Sequence, residues 1–438
     1  MEYQEDVSAE GRRALIAAFF GFMVDMIDVY LPVTVLGPAM SYFEPKGLPA
    51  VTSTTLYYVV FALSLIGRPL GSIIFGHYGD KFGRRKTTLV AVAGASIVTF
   101  LIALLPGYTT WGLTGIILVA ILRLIGGIFL GGEYTGATPL AMEYSPRKRR
   151  GMYGGFINSG YPVALVVIAV IMMVMFHIAP ANGPTSPYAV WGWRIPFILG
   201  AIISFLLFLY YRRVPESKIW EQTSKAKAPL KELFHGESFR RLSVVFVVMS
   251  GVWFMLYAVV SMLPGIMTYI GVKGNVSNAA SLWANIVLCF LFIPVGMLSQ
   301  KIGRRAVLIL FGVVGLTVVP YVYFQLVHHA TNGSTFIVIM TVIVTGLTIS
   351  VYGVLTAFIT EMFETGVRAS GYGIGYSLAV IVPSFTSFYM IFLKHFMAYE
   401  YTEIVIAAFG GLLILIGGLI SPESRSAEFD ATLNNYDA

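Results

Sequence analysis

Twelve apolar runs, each long enough to cross a bilayer as a helix, follow one another along the chain and limit its fold more than any other feature. A spanning helix needs about 20 apolar residues to cross about 30 Å of hydrocarbon. Charged residues make up 12% of the chain, about half the share in a soluble domain. The pattern predicts an all-α membrane protein with twelve transmembrane helices. The runs lie near residues 14–40, 52–76, 86–106, 111–142, 151–178, 194–211, 243–270, 278–299, 306–328, 335–360, 370–393 and 402–420.

The distribution of lysine and arginine predicts the orientation of these helices. If the N-terminus is cytoplasmic, most of the 29 basic residues lie in inward loops, and the outward loops contain only Lys46, Lys273 and Lys394. Short cytoplasmic loops are enriched in Lys and Arg. We therefore expect a multi-pass protein of the cell membrane with both termini in the cytoplasm. This topology accounts for the net charge of +7, so a nucleic-acid partner is not expected.

The chain is predicted to consist of two similar halves, residues 1–212 and 243–438, joined by a polar cytoplasmic linker, residues 213–242. The segment that begins at Gly76 returns 220 residues later at Gly296. Parallel repeats of this kind are typical of transporters whose halves rock about a central substrate site. The matching stretches are Gly76-x-x-x-Asp80-Lys81-x-Gly83-Arg84-Arg85 with Gly296-x-x-x-Gln300-Lys301-x-Gly303-Arg304-Arg305, Glu143 and Arg150 with Glu361 and Arg368, and Pro215-Glu216-Ser217 with Pro422-Glu423-Ser424.

The stretch GHYGDKFGRRK, residues 76–86, resembles the loop between helices two and three of the major facilitator superfamily. This resemblance implies that the loop closes the cytoplasmic face. Asp80 would cap a helix end of the opposite half, and Arg84 and Arg85 would pair with acids such as Glu143. Gln300 replaces the acid in the second copy, so an equal contribution of that copy to gating is in doubt. The expected gating residues are Gly76, Asp80, Lys81, Gly83, Arg84, Arg85, Glu143, Arg150, Gln300, Arg304, Arg305, Glu361 and Arg368.

Further stretches are similar to particular branches of this superfamily, although not to one branch alone. Arg68-Pro69-Leu70-Gly71, the segment around Gly131-Gly132-Glu133-Tyr134, and Trp193-Arg194-Ile195-Pro196-Phe197 look like the metabolite:proton symporters. Asp25-Met-Ile-Asp28 has the acid spacing of that branch and of the aromatic acid:proton symporters. Pro215-Glu216-Ser217 is similar to the sugar porters. The resemblance therefore leaves the substrate open.

Acidic side chains inside the first and fourth apolar runs are the predicted proton-coupling groups. An unpaired charge at the bilayer centre costs about 2.5–3.5 kcal/mol, so such residues face a cavity, pair with a base or titrate. Asp25 and Asp28 lie three residues apart, on one side of a helix. The resemblance to related symporters makes Arg123 the expected partner of the first-helix acid, with Gly127 and Gly131 bringing the two helices close together. Glu133 is either a second proton or substrate group, or a structural partner of Arg68 or an inner-loop base.

Neutral polar and aromatic residues make up the predicted substrate-binding set, since the second half has almost no acids at membrane depth. We expect a small organic solute, a carboxylate in preference to a sugar, to be imported with protons by alternating access in a monomer. A sugar or phosphate symporter, a uniporter and a proton-driven exporter stay open. The sequence contains no constellation that favours an enzyme, a metal site or a cofactor site. The set is Asn158, Trp253, Tyr257, Asn285, Tyr352, Tyr376 and Ser384.

Overall fold

The computed structural model describes residues 7–45, 47–48, 50–183, 185–223 and 228–429, and it is helical throughout, with no strand among these residues. Some of the twelve long segments contain a π-helical or 3-10 turn. The segments are α1 (Ala9–Tyr42), α2 (Ala50–Phe82), α3 (Arg84–Ala103), α4 (Thr114–Glu143), α5 (Arg147–Ile178), α6 (Tyr188–Tyr211), α7 (Gly236–Tyr269), α8 (Gly274–Ile302), α9 (Arg304–His328), α10 (Ser334–Met362), α11 (Thr365–Leu393) and α12 (Tyr399–Ile420).

The twelve segments coincide with the twelve predicted apolar runs. Among the described residues, eleven of them are long and apolar enough to cross a membrane, and α2 occupies the place of the remaining predicted span. Several segments extend past the apolar run into charged sequence; α7, for example, begins at Gly236. Helical hydrogen bonding does not end where the hydrocarbon ends, so a helix continues through the headgroup region.

The helices form two six-helix halves, α1–α6 and α7–α12, that contact each other through equivalent elements. In one interface α2 and α4 pack against α11, and in the other α8 and α10 pack against α5. Helix α2 corresponds to α8 and α5 corresponds to α11 under the sequence repeat, so the two interfaces are related by pseudo-symmetry. The architecture is therefore the predicted twelve-helix, two-half membrane fold.

The loops that join α2 to α3 and α8 to α9 lie on one face of the molecule, which we call the basic face. The segment between α6 and α7 contributes two short helices, Lys218–Gln222 and Pro229–Leu233. Within the predicted outer loops, Lys46 lies outside the described residues, whereas Lys273 and Lys394 follow α7 and α11 on the opposite face.

Candidate functional site

Five buried charged residues lie together in the first half, on α1, α2 and α4: Asp25, Asp28, Arg68, Arg123 and Glu133. We call them the charged cluster. Asp25 is about 24 Å along α1 from Ala9, and Arg68 is about 21 Å from the end of α2, so both are near mid-membrane. Nη2 of Arg68 donates a hydrogen bond of 2.8 Å to Oδ2 of Asp25. This ion pair joins α1 to α2.

Among the described residues, Arg123 does not form the expected ion pair with an acid of the first helix. Its guanidinium donates to the backbone carbonyl of Asp28 at 3.2 Å and to the hydroxyl of Ser64 at 2.7 Å. Oδ1 of Asp28 accepts a hydrogen bond of 3.0 Å from Thr99, and Oδ2 has no hydrogen-bond partner among the described residues. Asp28 is therefore close to a base but is neutralised by no ion pair in the described chain.

The glycines of α4 pack against α2 and not, as expected, against α1. A Cβ on Gly127 would overlap the carbonyl of Ser64, and one on Gly131 would overlap the carbonyl of Arg68. Small residues four positions apart allow two helix backbones to touch. This close crossing brings Arg123 to Ser64 and places Arg68 beside the acids of α1.

Glu133 is buried and has no hydrogen-bond partner in the described part of the chain. Neither carboxylate oxygen accepts a hydrogen bond from a described residue, so the expected alternative of a structural pair with Arg68 or an inner-loop base is wrong for the described chain. Its electrostatic neighbours are Asp25, Asp28 and Arg68. Three acids and two bases thus share one buried region, and with all five ionised their formal charge would be −1.

A cavity between the two halves borders this cluster. Including its opening, the space amounts to about 480 Å³. Arg68 is the charged residue among its walls, and the cavity extends to Ser261, an exposed residue in the π-helical turn Tyr257–Met262. Six of the residues that line the cavity are aromatic: Tyr30, Tyr161, Trp253, Tyr257, Tyr352 and Tyr376.

The rings of the cavity come from both halves. Tyr161 of α5 stacks across the interface with Tyr352 of α10, with ring centroids 5.8 Å apart, and within the second half Trp253 of α7 packs edge-on against Tyr376 of α11 at 5.5 Å. The hydroxyls of Tyr161 and Tyr352 are buried beside those of Tyr30 and Tyr376. The wall therefore offers flat apolar faces together with hydroxyl groups.

Four of the seven expected substrate residues line this cavity: Trp253, Tyr257, Tyr352 and Tyr376. The other three lie elsewhere. Asn158 of α5 donates to the carbonyl of Tyr352 and accepts from Thr356, so it joins the halves. Asn285 bonds the carbonyl of Ser281 within its own helix, and Ser384 reaches the cavity only through a 3.2 Å hydrogen bond with Tyr257.

On the basic face, Asp80 caps the first turn of the α11 helix as expected. Its carboxylate accepts hydrogen bonds from the backbone N–H groups of Ala369 at 3.0 Å and Ser370 at 2.8 Å. Helix N-termini carry unpaired N–H donors and a partial positive charge, so a carboxylate is the favoured partner there. Gln300 occupies the equivalent place in the second half, and its side-chain oxygen accepts hydrogen bonds from the backbone N–H of Gly151 of α5 at 3.1 Å and from Arg304 at 2.7 Å.

Glu143 joins the two halves beside this cap. Its carboxylate forms ion pairs with Arg84 of its own half and with Arg368 of the other half, and all three side chains are buried. Arg85 does not share this pair, contrary to expectation. Its backbone N–H donates to Glu216 at 3.0 Å, and its guanidinium donates to the carbonyl of Arg212.

The remaining residues of this loop have separate functions in the packing. Gly76 allows the backbones of α2 and α11 to meet, because a Cβ there would lie 2.8 Å from Cα of Ser370. Gly83 has a φ of 115°, which only glycine adopts without strain. Lys81 is exposed, with its ammonium 5.4 Å from the ring of Phe82.

Arg304 pairs with Glu361 within the second half, whereas Arg150 of α5 in the first half is held by the C-terminal segment. Nε of Arg304 lies 3.0 Å from Oε2 of Glu361, and Ser424 donates to the same oxygen. Arg150 donates to the carbonyl of Ala427 at 2.5 Å. The ring of Phe429 lies 3.5 Å from the guanidinium carbon of Arg150 and 4.1 Å from that of Arg368. Phe429 therefore contacts both halves.

The repeated Pro-Glu-Ser stretches cap two equivalent helices. Glu216 accepts from the N–H of Arg85 at the start of α3, and Glu423 accepts from the N–H groups of Arg304 and Arg305 at the start of α9. Burial raises the pKa of Glu216, which lies outside the membrane spans. Arg305 also donates to the carbonyl of Leu419, so it holds α9 to α12.

Several residues of the site were not predicted from the sequence as functional residues. Arg68 was expected only as part of a motif and as a possible structural partner of Glu133, although its position inside an apolar run was a usable signal. Tyr30, Tyr161 and Phe429 had no such signal, because an aromatic residue in a helix or tail is found far more often in packing than in a site. Only the assembled halves bring them to the cavity or to the basic face.

The family and structural comparisons agree with this architecture. A family model described as the Major Facilitator Superfamily matches residues 14–387. The structure of the proton:xylose symporter XylE bound to 6-bromo-6-deoxy-D-glucose superposes with a TM-score of 0.77 at 18% sequence identity, covering 95% of this chain and 97% of that one.

Among curated relatives, three Escherichia coli (strain K12) proteins are similar over most of the chain. The inner membrane metabolite transport protein YhjE is 27% identical, covering 94% of each protein. The shikimate transporter is 27% identical, covering 96% of each. The proline/betaine transporter is 28% identical, covering 86% of this chain and 76% of that one.

Proposed function

The chain belongs to the major facilitator superfamily, and from this premise we propose that it carries a small organic carboxylate across the cell membrane together with protons, by alternating access. That it is a multi-pass membrane transporter and not an enzyme follows from the family and its members. The solute, the proton coupling and the orientation are the parts that we propose.

The charged cluster beside the inter-half cavity is the observation that carries the proposal. Buried charges are tolerated when opposite charges compensate them. If the three acids and two bases of the cluster are all ionised, one negative charge has no compensating positive charge. We assign the uncharged form to Glu133, since a carboxylate buried without any partner is far costlier than the neutral acid. The cluster is then neutral, with Asp25 paired to Arg68 and Asp28 beside Arg123.

Asp28 is the group to which we assign the transported proton. It contacts one hydroxyl through Oδ1 and has no ion pair among the described residues, so both its charged and its neutral form are accessible at modest cost. Asp25 is held by Arg68 and is the coupled partner. Arg123, which bonds the backbone of Asp28, is the base that senses its charge.

The basic face, which we propose to be cytoplasmic, is closed by contacts between the halves. Asp80, Glu143, Gln300 and Phe429 each contact both halves or cap a helix of the opposite half. The cavity instead reaches the exposed Ser261. Alternating access would then require these basic-face contacts to break when the cavity opens to the cytoplasm. We propose that the protein functions as a monomer.

A carboxylate suits the cavity better than a sugar or phosphate does. Arg68 supplies one cation to a wall that is otherwise aromatic and apolar, whereas phosphate needs several donors. Shikimate, proline and betaine, after which two of the relatives are named, each carry one carboxylate.

The test is solute-driven proton movement in proteoliposomes that contain a trapped pH-sensitive dye. Shikimate, proline, glycine betaine and xylose are added outside, each with and without an inward proton gradient. We expect internal acidification with at least one carboxylate and none with Asp28→Asn. A matched control is Glu237→Gln, an exposed acid paired within its own helix. Accumulation by Asp28→Asn with unchanged dependence on the gradient would refute the assignment, and downhill exchange without accumulation by the parent protein would indicate a uniporter.

A further inference from the structure

The ion pair with Asp25 does not by itself explain why Arg68 faces the cavity. It is buried at mid-membrane, and it is the charged residue of the cavity wall. A guanidinium presents five N–H donors in a planar fork, and the hydrogen bonds to Asp25 and Tyr134 engage only part of that fork. A cation that is buried only for stability would not need to face a cavity between the moving halves.

The groups around Arg68 form a site for an anion attached to an apolar body. The guanidinium carbon lies 5.1 Å from the ring centroid of Tyr134, and Tyr134 packs against Tyr376 at 5.1 Å, which brings the aromatic wall up to the cation. The hydroxyls of Tyr161 and Tyr352 are buried in the same wall, beside those of Tyr30 and Tyr376.

Resting on the proposed function, we infer that Arg68 is the anchor for the substrate carboxylate, with Asp25 as the residue that positions it. The carboxylate accepts hydrogen bonds from the guanidinium donors that Asp25 does not use, and the body of the solute packs on the aromatic wall. Flat rings and quaternary ammonium groups both bind aromatic faces. The shared chemistry is therefore a single carboxylate on a ring or an onium body.

Charge balance links this anchor to the proton. A bound carboxylate adds one negative charge to a neutral cluster, and one proton taken from solvent onto a carboxylate oxygen of Asp28 restores neutrality. The titratable or charged groups that act on Asp28 are Asp25, Arg123 and Glu133, and Thr99 donates to it. Binding of solute and proton is then cooperative. Translocation of an anionic carboxylate with one proton moves no net charge, whereas translocation of a zwitterionic onium carboxylate with one proton moves one positive charge.

Three substitutions test whether the guanidinium of Arg68 itself binds the carboxylate. Arg68→Gln combined with Asp25→Asn removes both charges and leaves two side chains that can still hydrogen-bond, so no buried charge is left unpaired. Arg68→Lys keeps the charge and loses the fork. Arg213→Gln is the matched control, because Arg213 is an exposed arginine far from the cavity.

Binding to the purified protein is measured by calorimetry and by thermal shift. Benzoate and glycine betaine are the carboxylate probes, and benzamide and choline are their counterparts without a carboxylate. We expect at least one carboxylate to bind the parent and Arg213→Gln alike. The double variant should lose roughly tenfold or more of that affinity, with the lysine variant between them. Binding of benzoate would indicate that the substrate carries its carboxylate on a ring, and binding of glycine betaine would indicate an onium group. Either result supports Arg68 as the anchor.

The pH dependence gives a readout that a purely structural arginine would not change. Above the range in which Asp28 protonates, carboxylate affinity of the parent should fall about tenfold per pH unit, because one proton binds with each solute. In Asp28→Asn the affinity should be nearly independent of pH.

Equal carboxylate binding by the parent and a folded double variant overturns the anchor, while proton-driven carboxylate uptake by the parent would still support the proposed function. Absence of carboxylate binding to the parent overturns the inference. If no carboxylate moves protons in the liposomes either, the proposed function falls with it.

Discussion

Replacing Glu143 by Gln should shift the molecule away from the state in which the basic face is closed. The carboxylate pairs with Arg84 in its own half and with Arg368 in the other, and all three side chains are buried. Only the pair with Arg368 is broken when the halves separate. The substitution therefore weakens the closed state and leaves the open state, in which both groups are hydrated, nearly unchanged.

The size of the shift follows from this one contact. A hydrogen bond to a charged group contributes about 1.5–3 kcal/mol net, and the glutamine amide retains an acceptor but not the charge. Taking about 2 kcal/mol, the equilibrium between closed and open basic face should move roughly 30-fold toward the open state, since 1.4 kcal/mol corresponds to a factor of ten.

Distances between two spin labels measure this population. Lys148 and Lys301 are exposed on the basic face of the two halves, and they can be labelled as cysteines once Cys289, the only native cysteine, is replaced by serine. Glu143→Gln should add a longer-distance population that Glu237→Gln, the exposed control, does not add. An unchanged distance distribution, or the same change in the control, would refute the assignment of Glu143 to the gate.

Three further substitutions test other parts of the structure. Phe429→Ala should open the same face by a factor of roughly 5 to 30, because its buried cation–π contact with Arg150 of the other half is worth about 1–2 kcal/mol. Phe396→Ala on the opposite face is the control, and the spin-label distances decide. Gly131→Ala should lower the melting temperature in detergent, since its methyl group would overlap the backbone of α2, whereas Gly265→Ala, with open space around it, should not. Burial raises the pKa of Glu216, so the parent protein loses stability as the pH rises and this carboxyl group ionises. The melting temperature of Glu216→Gln relative to that of the parent should therefore increase from about pH 5 to about pH 8. A constant difference between the two melting temperatures would contradict this.

The number and order of the helices could be predicted because the length of an apolar run is a local property. Lipid imposes the same requirement on each span whatever its neighbours are. The contacts of Asp80 and Arg84 could be predicted for a different reason, namely that the repeated loop resembles that of a known family. Both kinds of prediction use information that is contained in a short stretch of residues.

Partners across the bundle could not be predicted in the same way. Arg123 was expected to pair with a carboxylate of the first helix and instead contacts the backbone of Asp28 and the hydroxyl of Ser64. The error has a physical cause: a spanning helix is apolar on every face, so its periodicity does not show which face meets which neighbour. Gly127 and Gly131 signalled a close crossing correctly, but not that α2 is the helix crossed.

The sequence by itself determined the span count, the two repeated halves and the inventory of charges that lipid would not tolerate unpaired. Those properties depend on composition along the chain. Only the tertiary structure decided that Arg68 meets Asp25, that Glu133 meets no partner among the described residues, and that rings from both halves line one cavity. These depend on helix rotation and depth, which are set by the packing of all twelve helices together.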